Sequence, residues 1–363
     1  MLGSLDSTEL RRAFPYLQSR IYLDTAAAGL TWPGHGAAVA RFYDDVKSRG
    51  IDARPEWQAM TERVRARLAA WLGVGAADVT FVSNATEGLN LAALSLGFCA
   101  GDRIVLAADE FPSVDRIWEA AAGAGAAVVR VPAVSEAARE SALLSALDAH
   151  TRVIAVSQTH SGTGTTVDLG RMAEACRRHG TLLMVDGTQA MGAVPTHLAE
   201  VDIYASSFFK WMLSGFGVGV LVTSARARAA MRPAYRGYKN MDDEAQLQYA
   251  HVNIPAMYGL DATLDFFDTV GWGAVHERVR SLGRHLLGSA AGHRLDLVTP
   301  ARAHAGIFVI RCADGEAAQR ALAGRGITVS ARGAGLRVSP HFYNTPDEID
   351  RCLAAIADLT EPT

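Results

Sequence analysis

The feature that most constrains this chain is a regular alternation of two patterns between about residues 79 and 222. Short apolar or β-branched runs are separated by longer amphipathic stretches, which is typical of a largely parallel sheet with helices packed on its faces. We predict about seven strands in this region. Their runs are residues 79–83, 103–107, 127–131, 153–157, 181–185, 203–206 and 218–222.

The pattern changes after about residue 255. Long helical stretches at 256–267 and 275–290 precede an apolar run at 307–310, a helix at 315–324 and a last helix from residue 346. We therefore predict an α/β fold with a mainly parallel seven-stranded sheet and helices on both of its faces. The predicted domains are a large one over residues 21–255, a smaller α+β domain over 256–363, and an N-terminal segment, 1–20, that packs on the small domain.

Charge and composition argue against several classes of protein. The net charge of −3 is spread over the chain without a basic stripe, so we expect no nucleic-acid partner. The N-terminus lacks the layout of a signal peptide, and no apolar run is long enough to span a membrane, which predicts a cytoplasmic protein. The four cysteines form no C-x-x-C pair, so neither a zinc site nor a disulfide framework is predicted.

Polar residues follow most of the predicted strands directly. In an open parallel sheet, ligands bind beyond the carboxyl ends of the strands, where loops and helix N-termini converge. We therefore expect the polar segments that follow the strands to form one site. These segments are residues 84–88, 109–113, 158–164, 186–189 and 207–210.

Lys210 and Asp186 are the strongest candidates for chemistry. A lysine after a strand is usually a solvated surface residue, but Lys210 stands among Phe208, Phe209 and Trp211. An amine desolvated in this way has a lowered pKa and becomes a nucleophile toward a carbonyl group. Asp186 ends an apolar strand, so its carboxylate needs a cationic or donor partner, which a pyridinium nitrogen would supply.

Thr86 marks the beginning of a predicted helix that follows a strand directly. The free N–H groups and positive end of that helix can hold a phosphate. A threonine at a helix start can equally be an ordinary N-cap. The residues alone leave these two interpretations open.

At these positions the sequence resembles the class V aminotransferase family of fold-type I pyridoxal 5′-phosphate (PLP) enzymes. The family includes cysteine desulfurases, selenocysteine lyases, isopenicillin-epimerase-like proteins and kynureninases. The resemblance runs over nearly the whole chain and is carried by five motifs in the family's order. They are Y-L-D-T-A-A-A-G at 22–29, T-F-V-S-N-A-T-E-G-L-N at 80–90, V-D-G-T-Q-A-M-G at 185–192, S-S-F-F-K-W-M at 206–212 and L-R-V-S-P-H-F-Y-N-T at 336–345.

The resemblance implies roles around the cofactor ring. Lys210 would bind PLP as a Schiff base and then act as the base that moves the α-proton of the substrate. Asp186 would keep the ring nitrogen protonated, so that the ring can accept electrons from the α-carbon. Gln189 would donate to the phenolic oxygen of the ring, and Phe111 would stack on the ring face where many relatives have histidine.

The resemblance also implies how the phosphate and the substrate are held. Arg337 would pair with the substrate carboxylate in a bidentate fork, and two copies of the chain would form a homodimer with the active sites at the interface. The other residues implied in binding are Ala85, Thr86 and Ser207 for the phosphate, and Ala28 and His160 for the substrate.

Three positions depart from the family pattern. Phe209 stands where a histidine usually precedes the lysine, and Ser161 stands where an asparagine is common, so we assign Ser161 to the cofactor site. Ala250 and His251 stand where the family has the Gly-Thr pair that reaches the phosphate of the neighbouring subunit. We therefore expect His251 to take over that phosphate contact.

The same residues serve several reactions. Cysteine desulfurases carry a cysteine on a mobile loop shortly before the carboxylate arginine, and residues 327–335 of this chain contain none. Cys312 and Cys352 both fit structural positions. Our prediction is a PLP-dependent enzyme acting on a small α-amino acid, with an aminotransferase-like reaction first. A β-eliminating lyase, an epimerase and a non-catalytic PLP-fold protein are the alternatives.

Overall fold

The computed structural model describes residues 7–132, 138–242, 246–301, 304–333 and 335–360. The strands in this part of the chain are β1 Ile21–Tyr22, β2 Val79–Val82, β3 Arg103–Ala107, β4 Ala127–Val131, β5 Thr151–Ser157, β6 Leu182–Asp186, β7 Ile203–Ser207, β8 Gly219–Thr223, β9 Phe308–Arg311, β10 Ile327–Thr328, β11 Ser330–Arg332 and β12 Gly335–Val338. The α-helices are α1 Ser7–Arg12, α2 Pro33–Arg49, α3 Arg54–Leu72, α4 Ala85–Leu96, α5 Pro112–Asp115, α6 Glu119–Gly123, α7 Arg139–Ser145, α8 Leu169–Arg178, α9 Ala225–Ala229, α10 Ile254–Val270, α11 Trp272–Gly292, α12 Gly315–Gly324 and α13 Pro346–Thr360.

Seven of these strands form one sheet in the order β2-β8-β7-β6-β5-β3-β4. Neighbours from β7 to β4 pair in parallel, whereas β8 runs antiparallel to both β2 and β7. The predicted α/β fold with a mainly parallel seven-stranded sheet is therefore confirmed. The predicted strand runs agree with the observed strands to within one or two residues at each end.

Alternate residues of the central strands face opposite sides of the sheet, as the strand period of two requires. On one side Ile154 and Val156 pack in a core with α3, α8 and α10. On the other side Val153 and Ala155 pack in a core with α4. Both faces are thus covered by helices, which explains why the middle residues of the central strands are apolar on both faces.

A smaller sheet of three antiparallel strands has the order β11-β12-β9 and packs against α11, α12 and α13. The short strand β1 pairs in parallel with β10, so residues 21–22 lie beside this smaller unit. Helix α10 contributes Met257 and Leu260 to the core of the large sheet, whereas α11 contributes Leu282 and Leu286 to the core of the small one. The domain limits at residues 20 and 255 remain predictions.

The register of the large sheet brings the ends of several strands together. Ser157 pairs with Asp186, and Asp186 pairs with Ala205 on the next strand. On the antiparallel strand, a side chain at Gly219 would meet the Ser206 carbonyl oxygen at 2.5 Å and Asn84 Cα at 3.2 Å. Glycine is needed at position 219 because the end of β7 and the beginning of α4 leave no room for a side chain. No helix in the described ranges is both long and apolar enough to cross a lipid bilayer.

Candidate active site

A cavity of about 590 Å³ lies at the carboxyl edge of the large sheet. Its wall is formed by the ends of β5, β6 and β7, the beginning of α4 and the loop that precedes α5. The structure brings eight of the nine predicted cofactor residues to this wall. They are Ala85, Thr86, Phe111, Ser161, Asp186, Gln189, Ser207 and Lys210.

Lys210 lies in a loop, three residues beyond the end of β7. The N-terminal motif, residues 22–29, holds this loop in place. Gly29 N donates to the Phe209 carbonyl oxygen at 2.9 Å, and a side chain at Gly29 would meet the Lys210 carbonyl oxygen at 2.0 Å. Burial lowers the pKa of Lys210 from 10.5 to about 8, while the carboxylate of Asp186 acts in the opposite direction. The structure therefore provides a lysine with the properties of a nucleophilic amine.

Asp186 is the last residue of β6 and is buried, with its side chain on the cavity wall. Burial raises the pKa of Asp186 above its ordinary value. Hydrogen bonds from Thr188 and the charge of Lys210 offset part of this rise. Thr188 N donates to Asp186 Oδ1 at 2.9 Å. A cationic N–H group of a ligand in the same cavity would stabilise the negative charge of a carboxylate held in this way.

The beginning of α4 forms another part of the wall. Asn84 is the N-cap, because its side chain accepts a hydrogen bond from Glu87 N. Thr86 is therefore free of the capping role, and its hydroxyl lies 2.7 Å from Ser113 Oγ. Ala85 N donates to Ser207 Oγ at 2.8 Å, which ties the helix start to the end of β7. These hydroxyl and N–H groups at a helix N-terminus are suited to an anion such as phosphate.

Gln189 is held by two protein partners while it lines the cavity. Its Nε2 donates to the Ala26 carbonyl oxygen at 3.0 Å, and its Oε1 accepts from Trp211 Nε1 at 2.9 Å. One N–H of the amide remains for a group inside the cavity.

Arg337 does not line this cavity but is buried nearby on β12, with 2% of its surface exposed. Its Nη1 donates to the Ser161 carbonyl oxygen at 3.3 Å, and its Nη2 lies 3.4 Å from Asp24 Oδ1. Its Nε has no hydrogen-bond partner among the described residues. Burial lowers the pKa of the guanidinium, and the charge of Asp24 opposes this. A carboxylate reaching Nε would satisfy a buried donor that the protein itself leaves without a partner.

Besides Arg337, three predicted residues lie outside the cavity wall. His160 is engaged at both ring nitrogens, by Thr163 Oγ1 and by the Asp109 carbonyl oxygen, each at 2.9 Å. His251 lines a neighbouring cavity of about 140 Å³ that shares Ser83 and Gly217 with the first. Ala28 is adjacent to Gly29 in the loop against the lysine segment. The binding roles assigned to these residues, like those of the residues on the cavity wall, remain predictions.

Sequence reasoning assigned no role to several residues of the site. Ser113 and Ser157 line the wall, Thr188 bonds Asp186, and Trp211 holds Gln189. All of them stand in or beside segments that follow strands, which was the available signal. Their side-chain directions depend on tertiary contacts that the signal does not contain.

The donor set fits PLP. The wall offers an amine of lowered pKa for the aldehyde, a buried carboxylate for the ring nitrogen, an amide N–H for the ring oxygen and a helix N-terminus for the phosphate. The sequence profile of the family described as Aminotransferase class-V matches residues 21–352. The chain belongs to this family. Membership makes it a PLP-dependent enzyme that acts on an amino acid, and confirms the resemblance on which the prediction was based.

Curated relatives cover most of this class-V chain. It is 28% identical to an isopenicillin N epimerase of Amycolatopsis lactamdurans, over 96% of this chain and 99% of the relative. It is also 28% identical to a cysteine desulfurase of Dickeya dadantii (strain 3937), over 78% of this chain and 76% of the relative. The names of these relatives cover different reactions, so family membership alone does not specify the reaction.

Solved structures share the fold. A cysteine desulfurase from Thermococcus onnurineus NA1, solved in its apo form, has a TM-score of 0.89 at 20% identity and covers 99% of both chains. A lysine-to-alanine mutant of C-DES, solved with glycine covalently linked to the PLP cofactor, has a TM-score of 0.89 at 23% identity. The match covers 96% of this chain and 99% of the mutant. At such identities the likeness establishes the fold-type I architecture.

Proposed function

We propose that this enzyme is an aminotransferase that uses Lys210 as its single base. The observation that carries the proposal is the composition of the cavity wall. Among the described wall residues, Asp186 and Lys210 are the ones with ionisable acid or amine side chains. Asp186 is suited to the ring nitrogen, which leaves Lys210 to move protons.

PLP, when bound, stabilises negative charge at the α-carbon of the amino acid. The protein then has to take the proton from the α-carbon and deliver it elsewhere. Lys210 Nζ, with a pKa of about 8, is close to the value that suits a base near neutral pH. One lysine that takes a proton from the α-carbon and returns it to another carbon on the same face is sufficient for transamination.

Epimerisation through two bases requires a second proton-transfer group on the opposite face of the substrate. The resemblance assigns Phe111 to that face, and a phenyl ring cannot transfer a proton. His160 is engaged at both ring nitrogens, so it is not available as that group in the conformation of the structure. The wall therefore favours single-base transamination over two-base epimerisation.

The described residues of the cavity wall include no thiol that could form a persulfide. Cys176 and Cys352 are buried, and Cys99 and Cys312 lie elsewhere, so no described cysteine lines the cavity. Elimination without a protein thiol is the competing reaction that uses the same lysine.

The test is a titration of the holoenzyme with a panel of amino acids, followed by absorbance and product analysis. A single turnover that leaves the cofactor aminated and releases one keto acid, with the amine then passed to an added keto acid, supports transamination. Release of ammonia with the keto acid over many turnovers would establish elimination instead. Inversion of the α-carbon without keto acid would establish epimerisation. Lys210→Ala should abolish all three, which controls for reaction by free cofactor.

We further infer that two copies of the chain form a homodimer. Phe216 and Tyr238 are 71% and 56% exposed, and the Tyr238 ring lies 5.2 Å from that of His251. Phe216 lines the main cavity and His251 lines the neighbouring one, and exposed aromatic residues at such positions favour burial against a second subunit. Sedimentation should give a dimer, and His251→Ala should weaken PLP binding. Unchanged affinity in that variant would rule out a phosphate contact by His251.

We place the enzyme in the cytoplasm. The four cysteines are free thiols, which fits a reducing compartment. Fractionation of cells that express the full chain with a C-terminal tag would test this placement.

A further inference from the structure

Gln189 lies between a group that can only accept a hydrogen bond and a group that can only donate one. The Ala26 carbonyl oxygen accepts from Nε2 at 3.0 Å, and Trp211 Nε1 donates to Oε1 at 2.9 Å. A carbonyl has no proton to give, and an indole N–H has no lone pair to offer. Only one orientation of the Gln189 amide therefore satisfies both partners.

This orientation decides what Gln189 presents to the cavity. The amide nitrogen carries two protons, and Ala26 accepts one of them. Because Gln189 lines the cavity, its second N–H is available there as a donor. A flipped amide would present its oxygen instead, and an acceptor facing the phenolic oxygen of PLP would be repulsive.

We propose that Trp211 is a positioning residue that keeps Gln189 as a hydrogen-bond donor toward the phenolic oxygen of the bound cofactor. The proposal rests on the role assigned to Gln189 in the cofactor site, and it is independent of which reaction the enzyme catalyses. It gives Trp211, the residue next to Lys210, a function besides packing.

The indole of Trp211 is well placed for this role because it is closely packed on all sides. It is fully buried and packs against Val279 and Ile307. A side chain at Gly192 would lie 2.8 Å from the Trp211 carbonyl carbon, and one at Gly306 would lie 3.0 Å from the indole ring. The backbone therefore approaches the tryptophan on two sides, and both glycines have positive φ, 92° and 77°, which also disfavours a side chain there.

His341 holds the backbone of Trp211 from the small unit. Its Nε2 lies 2.9 Å from the Trp211 carbonyl oxygen, and its Nδ1 accepts from Phe342 N at 2.8 Å. These partners require the neutral ring with its proton on Nε2. Burial lowers the pKa of His341 to about 3, which is consistent with a neutral ring at physiological pH. The hydrogen bonds thus continue from His341 through Trp211 to Gln189.

The experiment follows the visible absorbance of the holoenzyme with pH. A donor to the phenolic oxygen stabilises negative charge there, so the bound cofactor loses its proton at a lower pH. Trp211→Phe keeps an aromatic side chain but removes the N–H that fixes the amide. We expect the midpoint of the absorbance change to rise by roughly half to one pH unit, a three- to tenfold shift in that equilibrium.

Trp118→Phe is the matched control. Trp118 is also fully buried, but its Nε1 has no hydrogen-bond partner among the described residues. The Trp118→Phe variant loses the same side-chain atoms from a buried position without losing a hydrogen bond. The midpoint of its absorbance change should therefore equal that of the wild type. A shift of equal size in both variants would mean that general loosening is the cause and would overturn the proposal.

Gln189→Leu separates the possible failures. If Gln189→Leu raises the midpoint and Trp211→Phe does not, the positioning role of Trp211 is wrong. If Gln189→Leu itself has no effect, the ring-oxygen role of Gln189 and the proposal are both wrong, while transamination is still judged by its products. The double variant should shift no further than Gln189→Leu alone. If Trp211→Phe does not fold, β-(3-benzothienyl)alanine at position 211, which has the indole shape without the N–H, gives the same test.

Discussion

Asp24 Oδ1 lies 3.4 Å from Nη2 of Arg337, and these buried groups of opposite charge join residues 313 positions apart. Asp24 also accepts a hydrogen bond from Ser330 Oγ. Burial raises the pKa of Asp24 and lowers that of Arg337, and each charge offsets part of the other's desolvation. The pair therefore connects the N-terminal motif to the strand that carries the predicted substrate arginine.

Asp24→Asn should lower the free energy of unfolding by about 3 kcal/mol, because it leaves Arg337 buried without a counter-charge. Urea denaturation measures this. The double variant Asp24→Asn/Arg337→Met should recover much of the loss, since no uncompensated charge remains. Asp296→Asn breaks an ion pair with Arg311 whose side chains are 65% and 58% exposed, and should cost less than about 1 kcal/mol. Equal costs at the two sites would contradict the interpretation.

The rate at which the cofactor-free protein takes up PLP should rise with pH, with a midpoint near 8. Only the neutral amine of Lys210 attacks an aldehyde, and burial lowers its pKa to about 8. Roughly a tenth of the protein is then reactive at pH 7. Stopped-flow absorbance after mixing with PLP measures the rate. A midpoint of about 10, the value for a solvated lysine, would show that Lys210 is not desolvated in solution.

Glu110→Gln should become more stable relative to the wild type as the pH rises. Glu110 is buried and accepts from Ser157 N at 3.1 Å and from Ser157 Oγ at 2.6 Å, and burial raises its pKa. The folded state therefore binds this proton more tightly than the unfolded state does. Its stabilisation is complete below the unfolded pKa of about 4.5 and is lost as the pH rises through the raised value.

The measurement is urea denaturation of both proteins between about pH 4.5 and 8. Glutamine does not titrate, so the difference between variant and wild type should grow across this range. Glu119→Gln, at a side chain that is 75% exposed, should show no such trend. A difference for Glu110→Gln that is flat with pH would mean that the carboxyl is already ionised at the start of the range.

Ser207→Ala should weaken PLP binding by roughly tenfold. The Ser207 hydroxyl oxygen accepts from Ala85 N at 2.8 Å, so the hydroxyl can still donate its own proton to a phosphate in the cavity that Ser207 lines. Equilibrium dialysis or fluorescence gives the dissociation constant. Ser206→Ala, at a buried neighbour that does not line the cavity, is the control and should leave the affinity unchanged. Equal effects in both variants would exclude a phosphate role for Ser207.

Much of the site could be predicted because it depends on the ends of strands. The end of β6 at Asp186 and the loop after β7 at Lys210 follow from apolar runs that a period of two makes recognisable. The carboxyl ends of parallel neighbours meet at one edge, so these residues had to lie close together. Thr86 shows the limit of this reasoning, since the structure assigns the N-cap to Asn84.

The sequence by itself therefore determined the seven-stranded α/β fold, the family and the group of residues around Lys210, because these depend on local periodicity and on motifs in order. Only the tertiary structure decided how the buried polar groups pair. Trp211 with Gln189, Glu110 with Ser157 and Asp24 with Arg337 are contacts between separate elements. Their geometry depends on strand register and side-chain packing, which the spacing of residues along the chain does not specify.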